Sequence, residues 1–290
     1  MEVVLHSFTN GSDGFEPVAN LLRNVGSSGT TTLYGVTLEG GVGNGGTIFQ
    51  MTPPTIVGGA WSEKVLYAFG GVGDGVEPEA GLIADKTGAL YGTTFLGGAN
   101  GLGTVFKLIP PATVGGAWAE MVLYSFAAGG GDGHYPVGNL VAVASPFGPT
   151  ASLYGTTYQG GAGNTGTVFK LTPPPSAGGA WTEAVLYNFA SGSDGHSPLG
   201  GLVIDKTGAL YGTTYQGGTH LAGTVFKLTP PSSTSGVWTE TVLHNFCSET
   251  NCIDGDAPYA GIISDKAGAL YGTTYLGGAF GAGTVFKITQ

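Results

Sequence analysis

Apolar and polar residues alternate in short runs along this chain, as in Thr-Val-Phe-Lys-Leu-Thr at 224–229 and Glu-Thr-Val-Leu-His-Asn-Phe at 240–246. A period of two predicts strands with two distinct faces. The stretch GLVIDKTGALYGTT at 201–214 predicts two strands, 201–205 and 209–214, joined by a turn at Asp205-Lys206-Thr207-Gly208. A third strand is expected at 224–230 and a fourth at 239–246. Pro230 and Pro231 close the third, because proline has no N–H to give to a ladder. The unit is a four-stranded meander, and both of its faces need cover.

The same unit recurs. Aligned on Tyr34, Tyr91, Tyr154, Tyr211 and Tyr271, the copies stand 57, 63, 57 and 60 residues apart. Two further signals keep step: a GTVFK-like segment ending at Gln50, Lys107, Lys170, Lys227 and Lys287, and E-x-V-L opening at Glu2, Glu63, Glu120, Glu183 and Glu240. A fixed period of this size predicts a propeller. The expectation is an all-β, five-bladed β-propeller filling residues 1–290 as one domain, with four antiparallel strands per blade. The repeat units run approximately 9–69, 70–126, 127–189, 190–246 and 247–290, the last completed by 1–8. Glu2 to Phe8 has the pattern of a fourth strand, so it is expected to close the ring by completing the last blade. Lys107 with Glu120, Lys170 with Glu183, Lys227 with Glu240 and Lys287 with Glu2 are expected to pair between strands and mark register.

Composition fits tight turns and narrows the partners. There are 56 glycines, charged residues make up 10% of the chain, and the net charge is −10 with Arg23 as the one arginine. Nucleic acid and anionic membrane surfaces are therefore not expected partners. No stretch approaches the roughly 20 apolar residues of a spanning helix, so no membrane insertion is expected. Cys247 and Cys252 lie in CSETNC, in a loop that the other repeats fill without cysteine. A local disulfide is the simpler reading, since a metal site needs further ligands and only His244 lies close by. A disulfide points to an extracellular or cell-surface protein whose export signal has been removed.

Candidate chemistry lies on two repeated loops expected on one face. The loop after the second strand carries Leu38, Phe95, Tyr158 with Gln159, Tyr215 with Gln216, and Tyr275 with Leu276, each pair followed by Gly-Gly. The loop entering each blade carries Asp-Gly at Asp13, Asp74, Asp132, Asp194 and Asp254. Asp-Gly reads first as a turn, with the aspartate bonding to nearby backbone. Aspartate, a flat aromatic and bare backbone together also suit a sugar, whose hydroxyls need acceptors and whose apolar face stacks on a ring. Ligand binding is accordingly assigned to Phe95, Tyr158, Gln159, Tyr215, Gln216, Tyr275, Asp74, Asp132, Asp194 and Asp254, together with His134 and His196. Those two histidines occupy matching positions in consecutive blades. With neighbouring aspartates they raise a hydrolase or lyase as a competing reading. Neither a G-x-S-x-G nor an HExxH motif is present, and no catalytic residue is assigned. No cofactor is expected, with calcium on the aspartates as the alternative.

The combination DGxxPxxGLxxDxxGALYGTTxxGGxxGxGTVFKLTP, followed by a Gly/Ser loop and W-x-E-x-V-L-Y-x-F, resembles the GloVer tandem-repeat family of exported bacterial proteins. The likeness extends over essentially all 290 residues. It implies secretion or surface attachment, and no defined activity. Paired cysteines before Asp-Gly also occur in that family. The first unit departs from the pattern with Val36 and Leu38, and the third carries an insertion around Ala144 to Thr150. The expected protein is a secreted, monomeric, lectin-like binding module for carbohydrate or cell-surface glycan. An adhesive protein-interaction scaffold is the nearest alternative.

Overall fold

A computed structural model describes residues 2–289 except 26–29, 114, 144–147, 149, 150, 177, 234 and 235. Most of the insertion in the third repeat therefore lies outside the described residues. The chain is all-β and forms five propeller blades. Blade 1 runs Phe15–Val25, Thr31–Glu39, Thr47–Thr52 and Ser62–Ala68; blade 2 runs Ile83–Ala84, Leu90–Thr94, Thr104–Ile109 and Ala119–Ser125. Blade 3 comprises Val141–Ala142, Leu153–Thr157, Thr167–Thr172 and Thr182–Asn188, and blade 4 comprises Val203–Ile204, Leu210–Thr214, Thr224–Thr229 and Thr239–Asn245. Blade 5 has Ile263–Ser264, Leu270–Thr274 and Thr284–Ile288. Every pairing within a blade is antiparallel. Residues 2–9 form no strand, so the ring closure expected of Glu2 to Phe8 stays a proposal.

The blades fall into two compact units, residues 1–125 and 126–290. In the first, Ile48, Phe69, Phe106 and Leu108 form a core with no exposed surface; in the second, Val168, Phe189, Phe226 and Leu228 do the same. One contact repeats through both. The phenylalanine that follows a fourth strand meets the third-strand phenylalanine of the next blade edge-on: Phe69 with Phe106, Phe126 with Phe169 and Phe189 with Phe226 at 5.2 Å, and Phe246 with Phe286 at 5.0 Å; Phe8, in the strandless segment 2–9, meets Phe49 in the same way at 5.1 Å. Such edge-to-face pairs add about 0.5–1.5 kcal/mol beyond the area they bury.

The repeated LYGTT strand is built around that ring. A Cβ on Gly92 would stand 2.7 Å from Phe106 Cζ, and one on Gly212 2.7 Å from Phe226 Cζ, so only glycine admits the phenylalanine. The second threonine pairs across to the third strand. Thr94 Oγ1 lies 2.8 Å from Thr104 Oγ1 and Thr214 Oγ1 2.9 Å from Thr224 Oγ1, while each partner's backbone N–H donates to the same hydroxyl. The Asp-Gly glycines pack directly on these threonines, Gly75 on Thr94 and Gly195 on Thr214.

The lysines do not meet the glutamates that were expected to partner them. Lys107 stands opposite Met121 and Glu120 opposite Leu108, and side chains of adjacent residues in a strand point to opposite faces. Lys107 Nζ instead lies 3.5 Å from Asp85 Oδ2 and 5.1 Å from the centre of the Tyr91 ring, while the Tyr91 hydroxyl donates to Asp85 at 2.9 Å. Blades 4 and 5 repeat the tyrosine–aspartate bond, Tyr211 to Asp205 at 2.9 Å and Tyr271 to Asp265 at 3.0 Å, with Lys227 and Lys287 over the rings. Burial opposes ionisation of Asp85, but hydrogen bonds from Thr87 and Tyr91 outweigh it and hold the carboxyl below its usual value.

Gly195 and Gly208 share a φ of +84°, yet only Gly195 is packed against a side chain; the nearest atom to a Cβ on Gly208 is Pro230 Cγ at 3.9 Å. Gly208→Ala is expected to cost about 1 kcal/mol, from backbone strain alone. Gly195→Ala adds steric overlap, typically about 1–3 kcal/mol more. Urea unfolding measures the difference, and equal losses would show that the glycine–threonine contact has no weight.

Candidate functional site

The loops chosen from sequence divide into three kinds of local chemistry. The Asp-Gly aspartates fasten their own loops. Asp74 accepts from the Tyr67 hydroxyl at 2.9 Å, from Gly70 N–H at 3.2 Å and from Gly75 N–H at 2.7 Å. Asp194 accepts from the Tyr187 hydroxyl and from Ala190 N–H, both at 3.0 Å. Asp254 takes Ser248 N–H at 3.0 Å and its hydroxyl at 2.7 Å, and Asp132 takes Ala127 N–H at 2.9 Å. Backbone N–H groups are strong donors, and a carboxylate so engaged has less capacity left for a ligand. Among the described residues, no three His, Cys, Asp or Glu side chains come together in a metal-binding group.

His134 and His196 meet the glutamines. His134 pairs with Gln159 in a two-residue ladder, and His196 bridges to Gln216 through His196 N–H to Gln216 C=O at 2.8 Å and the return bond at 3.2 Å. Both pairs put an imidazole beside an amide, a combination suited to hydrogen-bonding a polar ligand. Burial lowers the His196 pKa against an opposing pull from Asp194, which favours the neutral ring. In blades 2 and 5 the same places hold Val76 with Leu96 and Asp256 with Leu276. The polar pair is thus confined to blades 3 and 4 among these four.

Three tyrosines converge between blades 4 and 5. Tyr215, Tyr259 and Tyr275, with Ala260, Thr273, Thr274 and Ala282, line a cleft of about 610 Å³. Tyr215 and Tyr259 meet edge-on at 6.0 Å, while Tyr259 and Tyr275 keep 60% and 67% of their surface exposed. Backbone bonds hold the walls. Tyr215 N–H donates to Ser197 C=O and Tyr275 N–H to Ala257 C=O, both at 3.0 Å, and the Thr213 hydroxyl donates to Ala260 C=O at 3.1 Å. A fourth tie comes from the Cys247–Cys252 disulfide loop, where Cys252 C=O accepts Gly278 N–H at 2.9 Å. Tyr215 and Tyr275 were chosen from the repeat, whereas Tyr259 was not. Its signal is a departure: the corresponding residues in the second, third and fourth repeats are Glu79, Val137 and Leu199. Phe95 and Tyr158 are half-buried at their own loops, with Phe95 N–H bonded to Glu77 C=O at 2.8 Å and Tyr158 N–H to Tyr135 C=O at 2.9 Å.

The Gloeobacter/Verrucomicrobia repeat matches residues 2–147 and 142–290, so the chain belongs to that repeat family. Among solved structures it is similar to a crystal structure of glucose dehydrogenase, at 14% identity and a TM-score of 0.45, covering 95% of this chain and 84% of that one. That likeness is too distant to carry activity. No curated protein matches the chain.

A set of glutamates was assigned to register and has a different character. Glu120, Glu183 and Glu240 each bury a carboxyl oxygen that has no hydrogen-bond partner. Burial first, and then the charge of Asp74, Asp132 and Asp194 respectively, pushes each carboxyl up to about 7 from 4.5. A carboxyl raised in the folded state favours folding when protonated, so its contribution is complete below 4.5 and is lost as pH rises through about 7. The melting temperature is therefore expected to fall between pH 5 and pH 8, and replacing all three by glutamine to flatten that fall. A wild-type melting temperature that does not change across this window would contradict the assignment.

Proposed function

We propose that the protein is an extracellular carbohydrate-binding module and that the tyrosine-lined cleft between blades 4 and 5 is its site. The carrying observation is the exposure of two large aromatic rings, Tyr259 and Tyr275, on the wall of one concave surface. Buried tyrosines elsewhere in the repeat, such as Tyr91 and Tyr211, pack and bond to aspartates. Tyr275 serves no such purpose. A planar ring at a cleft wall gives the apolar face of a sugar a surface to stack on, and a phenolic hydroxyl meets the sugar's own hydroxyls.

The disulfide supports the extracellular reading, since such bonds persist in oxidising surroundings. Among the described residues no helix is long and apolar enough to cross a membrane. On this reading the protein works as a monomer on cell-surface or environmental glycans. On this reading His196 with Gln216, on the loop that carries Tyr215, supplies an adjoining polar contact.

A glycan array probed with labelled protein tests the reading, with Tyr215→Ala and Tyr275→Ala as variants. Each variant is expected to weaken binding by about ten-fold, equivalent to about 1.4 kcal/mol. Tyr275→Ala should leave the melting temperature unchanged because its ring is largely exposed. A silent array, or full binding by both variants, would remove the site from consideration.

A further inference from the structure

We infer that the cleft selects a neutral sugar unit over an anionic one, and that the complete constellation occurs at one blade junction only. This rests on the saccharide reading and narrows its ligand class. The first ground is the lining, which among the described residues consists of three tyrosines, two threonines and two alanines, with no Lys, Arg, His, Asp or Glu. A carboxylate or sulfate entering such a cleft loses water and gains no cation in return, and desolvating an unpaired charge is strongly unfavourable. The chain's net charge of −10 adds long-range repulsion.

The second ground is where the available hydrogen bonds lie. The Thr274 hydroxyl is committed: it donates to Leu276 C=O at 2.8 Å and accepts Thr284 N–H at 3.0 Å. Among the described residues the hydroxyls of Tyr215 and Tyr275 have no hydrogen-bond partner in the protein. A phenol both donates and accepts, which matches a hydroxyl-rich neutral ring; it can also donate to a carboxylate, as Tyr211 does to Asp205, but it brings no positive charge to offset the desolvation of an anion.

The third ground is the repeat itself. Reading the three wall positions along the chain gives Leu38, Glu79 and Phe95 at one junction and Tyr158, Leu199 and Tyr215 at another, against Tyr215, Tyr259 and Tyr275 here. Only the last set has three rings. Glu79 occupies the place of Tyr259 with a half-buried carboxyl, and Leu199 with an aliphatic side chain. Binding is accordingly expected at one site per chain, without avidity among the blades.

Calorimetric titration of the intact protein decides this with two sets of probes: cellohexaose, xylohexaose and mannohexaose as neutral chains, and hexagalacturonate and a mannuronate hexamer as acidic ones. Each is titrated at about 50 mM and about 500 mM salt, a range over which screening of exposed charge changes greatly. The expected result is that at least one neutral chain binds with one site per protein, changes less than two-fold with salt, and binds at least ten-fold more tightly than either acidic chain. Tyr259→Val, at unchanged melting temperature, is expected to weaken that binding by at least ten-fold. Acidic chains that bind as tightly as neutral ones, more than one site per chain, or full affinity in Tyr259→Val would each overturn the inference while leaving a saccharide-binding protein. If no probe of either kind binds, the saccharide reading falls, and this inference falls with it.

Discussion

Everything regular in this protein depends on one aromatic contact made where a glycine leaves room. Phe106 lies against Gly92 and receives Phe69 edge-on at 5.2 Å; Phe226 does the same with Gly212 and Phe189. The ring needs a neighbour without a Cβ on its own sheet and an aromatic edge from the preceding blade. Both demands are local in sequence for the sheet and distant for the blade. Their repetition keeps LYG and VF in step with the period. The threonine pairs follow from the same geometry, because the strand that presents glycine to the phenylalanine presents Thr94 or Thr214 to the Asp-Gly loop. The Asp-Gly glycine can then be nothing larger. Its aspartate is left to tie down a loop whose position the packing has already determined.

Much of this architecture is legible in the chain. Alternation located the strands of blade 4 within one or two residues of Val203–Ile204, Leu210–Thr214, Thr224–Thr229 and Thr239–Asn245. Simple alternation failed within the fourth strand. Phe49 stands opposite Val65 and Ile48 opposite Tyr67, so Leu66 is an extra residue in a bulge, and Leu123, Leu186 and Leu243 repeat it. A bulge depends on the register of the partner strand and has no mark in the strand's own pattern. The lysines were misassigned for a related reason. Lys107 and Glu120 face opposite sides of their hairpin, while Asp85, 22 residues earlier, shares the face of Lys107 through Tyr91.

The candidate site was half legible, and the omission has a physical logic. Tyr215 and Tyr275 belong to the repeat and were visible as recurring aromatics before Gly-Gly. Tyr259 recurs nowhere, and searching for what is shared between blades gives such a residue no weight. Symmetric packing explains what every blade keeps, so a residue kept by every blade is poor evidence of a ligand. A site that discriminates must come from places where the blades differ. The disulfide loop, the Asp256–Leu276 bridge and the Pro-Tyr-Ala-Gly turn are three such places, and they sit on consecutive stretches of residues 247–261 and 276.

Those differences also explain why the cleft can bear exposed tyrosine without loss of the fold. The stabilising contacts of blade 5 are made by Phe246, Phe286, Leu270 and the Thr274–Thr284 pair, all of which follow the repeat. The loop above them needs only to hold its backbone. It does so through the C=O of Cys252, Ala257 and Ala260, which accept bonds from Gly278, Tyr275 and Thr213 whatever side chains the loop carries. The tethers are backbone carbonyls, and the residue at this place changes among Glu79, Val137, Leu199 and Tyr259 from blade to blade. The repeat supplies the scaffold, and on the proposed reading one unshared residue on a tethered loop supplies the chemistry.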